Sequence, residues 1–351
     1  MPERRRPPAK KTKGRRPPAQ ETMLGLLTGY WVSQLLYVAA NLGIADLVAN
    51  GPRKVEDLAR KTGTNALFLR RVLRALASVG VFAETADGRF KSTPLAATLR
   101  SGVPGSLRDF ARMVVDDYNW QAWAALEHGV RTGERAFDHV HGEAPFPYLR
   151  ARPEKDRTFS AAMASISGVE NPAIARAYDF GRFATLVDVG GAHGHLLATI
   201  LRRHRKLRGV LFDQSQVVAG AAGAGFITDR SVASRCEVEG GDFFSSVPEG
   251  AGGYLMKYII HDWDDDAAVT ILRNCGKAMA PSGRVLVVEH VIAPGNAADF
   301  GKLLDINMMV VPGGKERTRS EFRDLFAKAG LKLARVIPTA APLSILEGVR
   351  G

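Results

Sequence analysis

The chain has almost no cysteine: Cys236 and Cys275 are the only two in 351 residues. Two thiols cannot form a disulfide framework, and they suit a reducing, cytoplasmic setting. No Cys/His array has the spacing of zinc ligands. At this length a core forms without such staples, and two domains are expected. A clean twenty-residue apolar block is also missing. Met23 to Ala45 carries no charge, but Thr28, Gly29, Ser33, Gln34, Asn41 and Gly43 interrupt it. A membrane anchor or signal segment would need an unbroken run. The segment reads instead as a buried helix at a subunit interface. Acidic residues are scarce in residues 1–20, where eight Lys/Arg face one Glu, so seven of the twelve net positive charges sit there. That stretch is Pro-rich and has no apolar face, so it is expected to be a disordered, solvated tail.

What is present is a strand–turn–helix pattern that repeats. Leu186-Val-Asp-Val-Gly-Gly-Ala-His-Gly-His195 reads as an apolar strand, a glycine-rich turn and a helix start. Such turns bring backbone N–H groups and a helix N-terminus against a ligand. Asp213 ends the next strand, 208–213, about where a doubly wound fold places a ribose-binding acid. Strands follow at 235–239, 254–260 and 284–290. Their C-terminal ends carry Asp242, His261 and Glu289 on the rim that already holds Asp188 and Asp213. Thr318-Arg-Ser-Glu321 is a capping box for a helix that Gly330 stops. Residues 331–337 and 343–349 then pair as an antiparallel addition to the sheet.

Residues 52–98 have a different pattern. Two short helices, 55–61 and 67–77, precede a hairpin turning at Asp87-Gly88. This is a winged helix, a shape often used to read DNA, and Arg70, Arg71 and Arg74 would face phosphates in that reading.

Four motifs in order carry a family resemblance: Gly241-Asp-Phe-Phe244, Lys257-Tyr-Ile-Ile-His-Asp-Trp-Asp-Asp265, Val287-Val-Glu289 and Pro312-Gly-Gly-Lys-Glu-Arg-Thr318. With them the chain resembles the class I S-adenosylmethionine-dependent small-molecule O-methyltransferases typified by caffeic acid O-methyltransferase. Bacterial tailoring enzymes of secondary metabolism belong to that group. The resemblance covers roughly residues 22–351. It implies an α/β, Rossmann-like methyltransferase domain at 179–351, a helical winged-helix dimerisation domain at 21–110, and a helical linker and pocket segment at 111–178. It implies a homodimer, so the winged helix is expected to bind a second copy rather than nucleic acid or membrane. A cofactor-sensing regulator and a non-methylating relative are the alternatives.

Site roles follow position by position from the resemblance. Gly190 lets the backbone approach the amino-acid part of S-adenosylmethionine, Asp213 accepts from its ribose, and Asp242 and Phe243 meet its adenine. Lys257 aligns with a cofactor contact, as do Ser167 and Trp263 with less force. Ala192 departs from the family, which usually has a third glycine there. His261 matches the general base, and Glu289 and Glu316 its two supporting carboxylates. The chemistry is consistent with that assignment. A phenol of pKa near 10 is protonated at neutral pH, so a positioned imidazole with a carboxylate partner is useful. Asp262, Asp264, Asp265 and Asp266 are better read as helix N-terminal acids than as metal ligands. His193 and His195 read as loop residues. The acceptor is expected to be a hydroxylated aromatic, in a flat apolar cavity drawn from Tyr118, Trp120, Trp123, Phe159, Met163, Asn307, Met308 and Met309.

Overall fold

The computed structural model describes residues 18–221 and 229–351. The first seventeen residues of the expected disordered tail lie outside the described residues; of its last three, Pro18 caps a helix that Ala19 and Gln20 open. The chain divides into two compact units at Ala96–Ala97.

In the first unit, the uncharged run forms two helices, Ala19–Leu27 and Gly29–Asn41, broken at Thr28. By length and composition Ala19–Asn41 is apolar enough to cross a membrane, and only 11% of its most apolar 18-residue stretch is buried. Burial, expected from the sequence, is therefore not met within one chain: Leu26 is 72% exposed and Trp31 57%. Helices Val55–Thr62 and Ala66–Ser78 follow, the second capped by the Asn65 side chain. Strands β1 (Phe82–Glu84) and β2 (Phe90–Ser92) pair antiparallel as the wing. Arg70, one of the arginines a DNA reader would need, instead reaches Glu84 at 3.3 Å and Glu56 at 3.8 Å.

The second unit is built on a seven-stranded sheet. Its members are β3 (Thr185–Val189), β4 (Arg208–Asp213), β5 (Cys236–Gly240), β6 (Gly253–Lys257), β7 (Arg284–Glu289), β10 (Leu331–Pro338) and β11 (Ser344–Arg350). A separate two-residue pairing joins β8 (Val291–Ile292) to β9 (Arg317–Thr318). The order is β10-β11-β7-β6-β3-β4-β5, parallel from β7 to β5 and antiparallel at β11 and β10. The inner parallel strands β3, β4, β6 and β7 are buried along most of their length because both faces are covered, whereas the edge strand β5 is largely exposed. Alternation sorts their side chains. Val187, Tyr254, Met256, Val285 and Val287 pack under helices Asp265–Ala278 and Arg319–Lys328. Leu186, Leu211, Leu255, Leu286 and Val288 pack on helix His195–Arg203 and on the end of helix Pro153–Ala177. Fully burying each such side chain contributes about 1.5–3 kcal/mol.

Helix Arg108–Val114 packs on Pro153–Ala177 inside this second unit. The 111–178 segment is thus continuous with the second unit, and the compact first unit stops short of residue 110.

Candidate active site

Strand β6 lies between β3 and β7, so whatever follows Lys257 sits over the middle of the rim. The apolar run predicts a strand through Ile260, but β6 ends at Lys257. Tyr258 has φ +57°, a left-handed conformation that costs a non-glycine residue about 1–3 kcal/mol. It turns the chain into a single 3₁₀ turn, Ile260–Asp262, with Ile260 fully buried beneath and His261 on the site side. Among the contacts that hold Tyr258, its hydroxyl donates to Glu170 Oε1 at 2.7 Å and its ring stacks on the His261 imidazole at 5.1 Å.

His261 is 6% exposed. Its Nδ1 lies 2.7 Å from Glu316 Oε1, and its backbone N–H donates to Glu289 Oε1 at 3.0 Å. Nε2 is left facing Asp262 Oδ1 at 3.6 Å. Three acids therefore surround one imidazole. Burial alone would lower its pKa, but Asp262, Glu316 and Glu289 outweigh burial and raise it to about 9. Burial pushes Glu289 up to about 7 against the pull of His261, and raises Asp262 as well.

The loop before β9 fixes this arrangement. Lys315 N–H donates to the His261 carbonyl at 2.8 Å. A Cβ on Gly314 would lie 1.8 Å from that same oxygen, so only glycine fits. Glu316 N–H donates to Asp305 Oδ1 at 2.8 Å. Asp264 caps the following helix through Ala267 N–H, as expected, whereas Asp265 turns inward to Arg317.

The nucleotide side of the rim lies at the ends of β3, β4 and β5. Gly190 has φ +70°, and a Cβ there would lie 2.4 Å from Ile259 Cδ1. The turn is thus pressed onto the segment carrying His261. Ala192, the departure from the expected glycine, has φ +48°. Its N–H donates to Asp213 Oδ2 at 2.9 Å, while Gln214 N–H donates to Oδ1 at 2.7 Å. Each Asp213 oxygen keeps one acceptor site free. The Asp213 carbonyl accepts from Gly241 N–H, bringing Asp242 and Phe243 alongside. Asp242 accepts from Phe244 N–H and Ser245. Phe244 meets Trp263 edge-on at 4.8 Å and Phe243 meets it at 6.1 Å. Asn274, which sequence reasoning did not single out, holds both phenylalanine carbonyls at 2.9 Å.

Lys257 spends all three ammonium donors inside the protein, on Ser167 Oγ (2.8 Å), Glu170 Oε2 (3.1 Å) and Asn171 Oδ1 (3.1 Å). It offers a ligand its field rather than a direct hydrogen bond, and Ser167 is occupied with it. Burial lowers its pKa despite Glu170. Asp188 is buried, and burial pushes its carboxyl up to about 7.

The proposed cavity residues divide. Tyr118 is core, packed against Phe137 and Tyr148. Trp123 Nε1 donates to Asn307 Oδ1 at 3.1 Å, joining helices Asp117–Ala124 and Phe300–Val310. Phe159 and Trp123 lean on the same cluster, Met308 is buried, and Trp120 and Met309 are largely exposed. Sequence reasoning missed Glu170 and Arg317. Glu170 carries no motif. Arg317 stood beside Glu316 in the Gly313–Thr318 run.

The residues fit a sulfonium nucleoside. One buried oxygen each of Asp188 (Oδ2), Glu289 (Oε2) and Glu316 (Oε2) has no hydrogen-bond partner, and such orphaned acceptors favour a guest that is cationic or donates. Asp213 has acceptor capacity for a diol.

The chain matches the O-methyltransferase domain over residues 123–332 and the O-methyltransferase dimerisation domain over residues 24–102. It is 48% identical over 330 residues to the phenazine O-methyltransferase PhzM of Lysobacter antibioticus, spanning 94% of this chain and 96% of that one. It is 32% identical to the phenazine-1-carboxylate N-methyltransferase of Pseudomonas aeruginosa, spanning 91% and 94%. The crystal structure of NcsB1, an O-methyltransferase from neocarzinostatin biosynthesis in complex with S-adenosyl-L-homocysteine and 1,4-dihydroxy-2-naphthoic acid, is 33% identical. Its TM-score is 0.76, with 91% and 96% of the two chains covered.

Proposed function

Since the chain belongs to the S-adenosylmethionine-dependent O-methyltransferases of secondary metabolism, we propose that it methylates a phenolic hydroxyl of a small aromatic metabolite, with His261 as general base. The observation that carries this reading is the buried His261 Nδ1–Glu316 pair at 2.7 Å. A carboxylate on Nδ1 fixes the tautomer and leaves Nε2 as the nitrogen that takes the proton.

The cofactor, when bound, supplies an electrophilic methyl on a positive sulfur. Gly190 and the turn after it, Asp213, Asp242 and Phe243 would hold it, with Lys257 acting through its charge. The protein's own task is to present an oxyanion. Proximity and orientation supply roughly 7–11 kcal/mol of the barrier, and proton removal about 10²–10⁴ in rate. With an imidazole near 9 facing a phenol near 10, proton transfer is close to balanced. The imidazolium formed stays beside Glu316 and the carboxyl groups of Glu289 and Asp262, which limits the cost of charging it. Glu289 acts at one remove, holding the backbone N–H of His261.

The exposed apolar helix pair at Ala19–Asn41 supports a homodimer, because an isolated chain seldom leaves so much contiguous apolar surface in water.

His261→Ala tests the reading. Turnover of a phenol should fall about 10²–10⁴-fold, while calorimetry finds S-adenosylhomocysteine binding unchanged. Undiminished turnover would sink the base assignment and leave proximity and orientation as the whole of the catalysis.

A further inference from the structure

Arg317 is fully buried, 0% exposed, and it is spent on one short segment. Nη1 donates to the Ile260 carbonyl at 3.1 Å and Nη2 to the Trp263 carbonyl at 2.9 Å. These two carbonyls bracket the 3₁₀ turn bearing His261. Nε and Nη2 both donate to Asp265 Oδ1, at 3.0 and 2.8 Å, and a longer contact runs to the Lys315 carbonyl. The residue just before it in the chain, in the loop leading into β9, is Glu316. One guanidinium therefore ties the segment that holds the base to the segment that holds the base's acid.

We propose that Arg317 is a positioning residue for methyl transfer: its planar fork sets the register between the His261 turn and Glu316, and through it the His261 Nδ1–Glu316 contact. The inference rests on His261 acting as the base. Several features favour it over a purely structural clamp. Burying an arginine is costly unless every donor is met. A simple staple would need only the Asp265 pair, yet two of the bonds go to the carbonyls on either side of His261. Lysine cannot replace it, because three donors on one tetrahedral nitrogen do not span two carbonyls and a carboxylate in a plane. The groups facing the imidazole are Glu316 from β9's lead-in, Glu289 from β7, Asp262 from its own turn and Tyr258 before it. His290 lies behind Tyr258.

The test uses the full-length enzyme with Arg317→Lys, Asp265→Asn and Glu316→Gln, singly and as Arg317→Lys/Glu316→Gln. Asp265 is partly exposed, and asparagine keeps an acceptor oxygen for Nε and Nη2, so Asp265→Asn carries the test if Arg317→Lys does not fold. If Arg317 acts through Glu316, Arg317→Lys lowers kcat at least about tenfold and moves the acid limb of the pH profile to lower pH. S-adenosylhomocysteine affinity stays within about twofold. The double variant is no worse than Glu316→Gln alone, the non-additivity expected of residues acting in one chain. Asp265→Asn gives the same pattern, smaller. An unmoved acid limb in both Arg317→Lys and Asp265→Asn, or penalties that simply multiply in the double variant, would overturn the proposal. The premise fails differently: His261→Ala then keeps full turnover. If His261→Ala is dead while the Arg317→Lys limb stays at its wild-type pH, the present inference alone is lost.

Discussion

Replacing Glu316 with glutamine keeps the shape and one acceptor oxygen but deletes the charge facing His261 Nδ1 at 2.7 Å. A hydrogen bond to a charged group contributes roughly 1.5–3 kcal/mol, and a tenfold change in an equilibrium is worth about 1.4 kcal/mol. The wild-type imidazole is raised from 6.5 to about 9. Removing an anion destabilises its protonated form, so its pKa falls, to about 7–8 on these magnitudes. At pH 7 about 1% of the wild-type imidazole is neutral, against roughly a quarter in the variant. At pH 9.5 and above, most of the base is free in both enzymes, and the variant shows its undiluted loss of orientation and charge, about 10²-fold. The ratio of variant to wild-type kcat/KM should therefore climb as pH falls. Labelled-methyl assays from pH 6 to 10 read this directly. Thermal unfolding gives a second readout. A raised histidine pKa adds stability that is full below 6.5 and lost as pH rises through about 9. That contribution is roughly 3 kcal/mol, and most of it should vanish in the variant. Parallel pH profiles, with one constant ratio throughout, would refute the coupling of Glu316 to His261.

Gly314→Ala should inactivate the enzyme while sparing nucleoside binding, because its methyl would strike the His261 carbonyl; turnover above a tenth of wild type would contradict the packing. Ala192→Gly relieves a left-handed alanine and, net of glycine's chain entropy, should add about 1 kcal/mol of stability; denaturant melts check it. Trp31→Glu puts a charge on the exposed apolar helix and should yield monomers in size-exclusion chromatography with light scattering, whereas an unchanged mass would move the dimer contact elsewhere.

Much of the fold could be read from the chain because apolar runs ending in acids have few other interpretations. The strand expected at 208–213 and the Thr318–Glu321 capping box form where the pattern puts them, and those expected at 284–290 and 331–337 form within one residue, at 284–289 and 331–338. Periodicity failed at β6. Ile260 is apolar because the core needs it, yet it belongs to a turn, and nothing local announces a left-handed tyrosine. His261, Glu289 and Glu316 were accessible only through motif resemblance, since 55 residues separate the first from the last. The resemblance aligns Lys257 with a cofactor contact, and in the fold its donors meet a helix some ninety positions earlier, a pairing no local spacing encodes. Tyr118 shows the limit of composition: an aromatic near a site is as readily core as lining.

The placement of β11 has a consequence for biosynthesis. This strand, the furthest along the chain, is inserted between β7 and β10 rather than added at a margin. Strand β7, which ends in Glu289, thus lacks one neighbour until translation has passed residue 344. A nascent or prematurely terminated polypeptide would expose an open backbone ladder in mid-sheet, inviting aggregation. Substitutions in residues 344–350 therefore act on a strand inside the sheet that carries the site.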